Sequence, residues 1–298
     1  MKSLAVAAAV IVAMALASCG GGDGGSDALG IRVVATTTQI GALTREVAGG
    51  KVRLSVLLKA GASAHDFEPG PDTLKEINAA RLVLKNGIGL DDWLDKSIKS
   101  AGGSKTVALV TEGVKTQKRD DGEEDPHVWH DADNAARMVD NIVAALAAAD
   151  PPNAATFRAN GDAYKQKLAA ADKEIRALIE TIPVASRKVV TNHDAFGYFL
   201  DRYGLTFVGA VIPSTSSEAQ PSAKEIAALQ DLIRREGVKA IFAEDEIDPK
   251  VAREIAKDTG VKIIDDLYAD SLGEPGSGAD TVDGMLLSNA RKIVEALK

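Results

Sequence analysis

From Ile31 onward this chain alternates short β-rich runs with helical segments, interrupted once by an apolar stripe too long for an ordinary crossover. That alternation constrains the fold more than any other feature. Candidate strands are Ile31–Ala35, Arg53–Leu58, Arg81–Lys85 and Thr106–Val110, with helical patterns at Gln39–Val47, Asp72–Ala79, Asp91–Ser100 and Ala132–Ala149. The second series places strands at Lys188–Thr191, Thr206–Ile212, Ala240–Ala243 and Lys262–Asp265. Its helices fall at Phe196–Arg202, Lys224–Glu236, Pro249–Thr259 and Val282–Leu297. Strands separated by helices imply parallel pairing, because each crossover returns the chain to the same edge of the sheet. The two series share this pattern but no residue-by-residue repeat.

Between them lies Pro151–Pro183. Pro151-Pro152-Asn153 suits a helix start and Pro183 a stop. Phe157, Gly161, Tyr164, Leu168, Ala171, Ile175, Leu178 and Ile182 recur at steps of four and three. This is one apolar stripe on a helix of about thirty residues, ~45 Å long, which would run along both halves as a stiff spine. The expected fold is therefore α/β, with two lobes, each a mostly parallel four-stranded sheet with flanking helices, joined by one long rigid helix. The lobes would span residues 30–150 and 184–298, with the linking helix at 151–183. One domain carrying a long surface helix is the alternative.

The first eighteen residues read as an address. Met1-Lys2-Ser3 precedes an apolar stretch from Leu4 to Leu16, too short for a bilayer span, which needs about 20 residues, but right for a secretory signal. The stretch ends Leu16-Ala17-Ser18-Cys19, which resembles the bacterial lipobox, and Cys19 is the only Cys in the chain. Residues 1–18 are expected to be removed, Cys19 to carry lipid, and the Gly-rich run 19–29 to act as a flexible tether. That places the protein on the outer side of the cytoplasmic membrane, periplasmic or surface-facing. A lone Cys also excludes disulfide frameworks and Cys-based zinc fingers. The net charge of −8 with no long basic run argues against nucleic acid as partner and suits cations or small polar ligands.

The chain has four His, and each lies in a loop-like context. His65 follows the strand Arg53–Leu58, His127 follows Thr106–Val110, and His193 directly follows Lys188–Thr191. Loops leaving the carboxyl ends of parallel strands line the ligand crevice, so the gap between the halves is their natural meeting point. The matching loop after Lys262–Asp265 offers Asp270. Three imidazoles and one carboxylate form an N/O set suited to a divalent transition metal. His130, three residues after His127, is a substitute ligand, an orienting neighbour or a surface residue beside Asp131. Asp66, Glu68 and Asp194 are candidates to orient imidazoles through the second ring nitrogen. Glu244-Asp245-Glu246, after the strand Ala240–Ala243, is expected to be a solvated acidic turn, with a position facing the gap as the alternative.

These segments resemble those of the zinc/manganese solute-binding lipoproteins of ABC importers, the ZnuA-like metal receptors. The resemblance is carried by Val34-Ala35-Thr36-Thr37-Thr38-Gln39-Ile40-Gly41, His65-Asp66-Phe67-Glu68-Pro69, Asp125-Pro126-His127-Val128-Trp129 and His193-Asp194-Ala195-Phe196-Gly197-Tyr198-Phe199. Glu218-Ala219-Gln220-Pro221-Ser222 and Asp270-Ser271-Leu272 complete it. It implies two α/β lobes joined by one helix, a metal held by His65, His127, His193 and Asp270, and a membrane permease as partner of a monomeric receptor. Zinc members often carry a His-rich loop before the Pro-His-x-Trp element, whereas residues 115–124 here hold acids and no His. His193 stands where manganese members tend to use Glu, which points to Zn²⁺ with Mn²⁺ as the second candidate. A zinc hydrolase with an open three-His site is the competing class. It is disfavoured because Asp270 would close the fourth position, and no HExxH helix, nucleophile elbow or phosphate loop is present.

Overall fold

Two four-stranded sheets, every rung parallel, form the frame of the molecule in a computed structural model that describes residues 30–65, 67–119, 122–214 and 220–298. The leader, Cys19 and the Gly-rich run all lie outside the described residues. The first sheet contains β1 (Arg32–Ala35), β2 (Arg53–Val56), β3 (Leu82–Lys85) and β4 (Thr106–Leu109). The second contains β5 (Lys188–His193), β6 (Thr206–Ile212), β7 (Ala240–Glu244) and β8 (Lys262–Leu267). Their strand orders are β2-β1-β3-β4 and β6-β5-β7-β8, the same winding twice. β5 and β8 each run two residues beyond their expected ends, and β7 one, which puts His193 and Glu244 on strand termini rather than in loops.

Helices cover both faces of each sheet: α1 (Thr38–Ala48), α2 (Pro71–Ala79), α3 (Trp93–Ala101) and α4 (Ala132–Ala149) in the first half. The second half carries α6 (Gly197–Tyr203), α7 (Ala223–Glu236), α8 (Lys250–Thr259) and α9 (Val282–Leu297). The period-two burial of the strands sorts their side chains. Val34 and Val83 face α2 and α3, while Val33, Ala35, Leu82 and Leu84 join a core that extends into the other half. In the second sheet Val190 and Ile241 face outward, and Val189, Ala240 and Phe242 face the shared core.

Between the halves runs α5 (Ala154–Glu180), 27 residues and about 40 Å long. A short 3-10 turn at Pro151–Asn153 precedes it. Its buried stripe is Phe157, Gly161, Tyr164, Leu168, Ala171, Ile175 and Ile179. Ile179 takes the place expected of Leu178, which is half-buried, because the step after Ile175 is four rather than three. Gly161 is required by packing: a Cβ there would lie 2.5 Å from Cγ2 of Val143 on α4. The helix packs against α1 and α4 on one side and α6 and α9 on the other, so one apolar cluster runs from Val33 to Leu297 through both halves. Among the described residues no helix is long and apolar enough to cross a membrane.

Candidate metal centre

Each of the four anticipated side chains is brought to the shared gap by a different local device. The loop bearing His65 is tied down where Trp93 Nε1 donates to the Ala64 carbonyl at 3.0 Å and Phe67 packs against Trp93 with its ring tilted by 57°. The segment bearing His127 is held from both halves. Asn86 Nδ2 donates to the Pro126 carbonyl (3.2 Å), and the Tyr198 hydroxyl, from α6, donates to the Asp125 carbonyl (2.7 Å). Asn86 is itself fixed by Asp91, whose carboxylate accepts from the Asn86 and Gly87 amides and the Thr36 hydroxyl. That duty explains why α3 begins at Trp93 rather than at the expected Asp91. His193 emerges at the end of β5, on the inner face shared with Val189.

Asp270 belongs to the second half but is pinned to the first. Gln39 Nε2 and Trp129 Nε1 both donate to the Ala269 carbonyl, the Gly61 amide donates to Ser271 Oγ, and the Leu272 amide donates to Thr38 Oγ1. Ser63 Oγ donates to Asp270 Oδ2 at 2.9 Å.

The result is a compact donor cluster in which one ligand atom from each of His65, His127, His193 and Asp270 lies within 4.8 Å of all the others. His65 Nε2 and His127 Nε2 are 3.2 Å apart. Asp270 Oδ1 is 3.2 Å from His127 Nε2 and 3.7 Å from His193 Nε2, and Oδ2 is 3.6 Å from His65 Nε2. Donors placed about 2.1 Å from a tetrahedral centre stand ~3.4 Å from one another, so these spacings are of coordination size. The side chain of His65 is 10% exposed and that of Asp270 2%, which makes the His65 edge the route from solvent.

The carboxylates behind the imidazoles are not the ones anticipated. Asp125 Oδ1 accepts from His127 Nδ1 at 2.6 Å and from the His127 amide at 2.9 Å. Glu244, fully buried, accepts from His193 Nδ1. Glu68 is exposed, no hydrogen bond joins Glu68 or Asp194 to an imidazole among the described residues, and Asp66 lies outside them. The acidic turn is solvated only at Asp245, which is exposed: Glu244 is buried, Glu246 Oε1 accepts from the Ser271 amide at 2.6 Å, and Glu246 Oε2 is buried without a partner. Burial, with Asp245, Asp270 and Glu244 nearby, pushes the Glu246 carboxyl well above the usual range.

Charge follows from these neighbours. Burial disfavours a proton on His127, but Asp125 and Asp270 outweigh it and hold its pKa at about 10. His193 is raised as well, burial being overcome by Glu244 and Asp270. His65, with less help, is pushed by burial to about 4. Burial would raise Asp270, yet the imidazoles hold it far below the carboxylate range.

His130 lies apart from the cluster. It is fully buried, its ring centroid 5.8 Å from Trp129 and 5.0 Å from Phe196, and both its nitrogens lack hydrogen-bond partners. Burial and the neighbouring His127 push it to about 3, so it is a neutral core ring rather than a surface or orienting residue.

The family model for the periplasmic zinc-uptake complex component A, ZnuA, matches residues 33–296. The metal ABC transporter substrate-binding lipoprotein SsaB of Streptococcus sanguinis is 32% identical over 282 residues, covering 91% of both chains. The manganese ABC transporter substrate-binding lipoprotein PsaA of Streptococcus pneumoniae is 29% identical over 310 residues, covering 100% of this chain and 99% of its own. Among solved structures, the periplasmic zinc-binding protein TroA of Treponema pallidum superposes with a TM-score of 0.83 at 29% identity, covering 90% of this chain and 99% of its own.

Proposed function

The chain belongs to the ZnuA family of metal-uptake components, and from that membership we propose that it captures Zn²⁺ between its halves through His65, His127, His193 and Asp270. It is a substrate-binding protein of a metal ABC importer and not an enzyme. A permease is its partner, and it works anchored to the membrane outside the cytoplasm. Cys19 is the residue that would carry the anchor, and 19–29 the tether.

The observation that carries the zinc reading is the number of donors left over once other hydrogen bonds are made. His127 Nδ1 is engaged by Asp125, His193 Nδ1 by Glu244, and Asp270 Oδ2 by Ser63. His193 Nε2 and Asp270 Oδ1 are buried with no hydrogen-bond partner. A buried lone pair without a partner costs about 1–3 kcal/mol, which a bound cation removes. His127, His193 and Asp270 thus each keep one atom for a metal, His65 adds Nε2 at 3.2 Å from His127 Nε2, and four donors of N₃O type make a closed tetrahedral shell, the preference of zinc. With Asp270 and Asp125 both held below the usual carboxylate range and the imidazoles neutral, a divalent ion offsets their two charges.

Manganese is the second reading, favoured by the relatives named for that metal. It needs more oxygen donors than this shell offers, because manganese favours octahedral sites. X-ray absorption of the zinc-loaded protein tests the closed shell on which the zinc reading rests, and competition between zinc and manganese tests the preference itself. Four N/O neighbours at about 2.0–2.1 Å are expected, and a five- or six-ligand sphere overturns the closed-shell argument.

A further inference from the structure

At the end of the first sheet opposite the metal centre lies a basin of about 700 Å³ whose walls include Arg32, Lys51, Arg53 and Arg81. Among the described residues the only acid on its walls is Asp150, so four basic side chains face one acid on a chain whose net charge is −8. The strand order explains how the cations gather. Arg32 on β1 is in register with Arg53 on β2, and the Arg81 amide, just before β3, donates to the Arg32 carbonyl. Three arginines therefore stand at one level on three adjacent strands, which are spaced about 4.8 Å apart. Arg32 and Arg81, both exposed, carry two like charges at one level, which an anion seated between them would offset. The planar guanidinium fork pairs bidentately with phosphate as it does with carboxylate, and phosphate is the anion a phospholipid surface presents.

Gly30, the first described residue, is itself on the basin wall. Ten residues separate it from Cys19, and a Gly-rich sequence of that length can reach about 18 Å. We propose that this basin binds the phosphate groups of anionic phospholipids, seating the first half of the anchored protein on the membrane surface. This rests on acylation at Cys19, which brings the basin to the headgroups. His65 and His127 leave the opposite ends of the strands, so the seated protein holds its metal centre away from the bilayer, toward the space from which metal arrives.

The test uses the lipidated protein in vesicles. Because acylation consumes the chain's one Cys, Ala79→Cys on the basin wall, or Glu254→Cys on α8 as the distant reference, gives a single site for a nitroxide label. Relaxation of the label by a headgroup-chelated nickel lipid reports its proximity to the bilayer. With phosphatidylglycerol in the vesicles, the label at 79 is expected to relax strongly and the one at 254 weakly. The basic side chains act within a Debye length of about 8 Å, and each strengthens attachment about fivefold. Arg32→Glu with Arg81→Glu should therefore weaken seating at least about 25-fold, with an unchanged melting temperature showing that these exposed changes leave the fold intact. Equal relaxation in neutral and anionic vesicles overturns the proposal. So does tight capture of inorganic phosphate without seating on anionic vesicles, which assigns the basin to a free anion. Failure to float with neutral vesicles counts against the anchor alone, and seating is then read by co-sedimentation with anionic vesicles.

Discussion

Zinc capture at this centre is expected to expel protons, and the count follows from the surroundings of three imidazoles. His127, held at about 10, carries its proton at pH 7. His193, also raised, adds a second where its proton is retained, and His65, pushed to about 4, adds none. A metal needs the lone pair on each nitrogen, so these protons compete with it. About three pKa units separate His127 from neutrality, and at 1.36 kcal/mol per unit its proton alone weakens apparent binding at pH 7 by about 4 kcal/mol, or ~1000-fold. Apparent affinity should rise ten- to a hundredfold per pH unit between about pH 6 and 8, one decade for each proton displaced. Calorimetry in buffers of different ionisation enthalpy counts the protons directly. Asp125→Asn should reduce the count by about one, because it removes the carboxylate that most favours the His127 proton. The same linkage acts on stability with a defined sign. A pKa raised from 6.5 to about 10 stabilises the metal-free fold fully below about pH 6.5, and the contribution is lost as pH rises toward 10. Affinity that stays flat from pH 6 to 8 with no proton release would refute this reasoning.

His193→Ala should lower zinc affinity at least ~100-fold in chelator competition, whereas His130→Ala should leave affinity within a few-fold and reduce unfolding free energy by about 2–4 kcal/mol. Gly161→Val should cost about 1–3 kcal/mol by urea unfolding, since its side chain would have to displace Val143 and part α4 from α5. Glu246→Ala removes the acceptor for the Ser271 amide beside Asp270 and should weaken zinc binding about tenfold, while Glu246→Gln, which keeps a neutral acceptor, should bind as the parent does.

Much of this architecture was legible because the signals are local. Period-two apolar runs marked the strands, the stripe from Phe157 to Ile175 marked α5, and the position of His65, His127, His193 and Asp270 after strands placed them at one edge. What escaped depends on which strands are neighbours. β5 pairs with β7, with Thr191 level with Phe242, so two residues farther along His193 and Glu244 emerge side by side. Nothing within a few residues of either announces that pairing, and Glu244 therefore reads as part of a charged turn. Asp125 was within reach: it lies two residues before His127, where a carboxylate can accept from both the ring and the amide. The burial of His130 was hidden for the same reason as the Glu244 pairing, since Phe196, which covers it, comes from the other half.

The continuity of the apolar core around α5 bears on how the cargo leaves. Swinging the halves apart like jaws would wet a seam of side chains extending from β1 to α9, a penalty far larger than that of loosening one short segment. The segment Ala269–Leu272 is stitched across the gap by a handful of hydrogen bonds, each worth about 1 kcal/mol. A docked transporter that lifts this stitch alone would withdraw the one carboxylate of the proposed ligand set, and leave an ion held there by imidazoles that protons can take back one at a time.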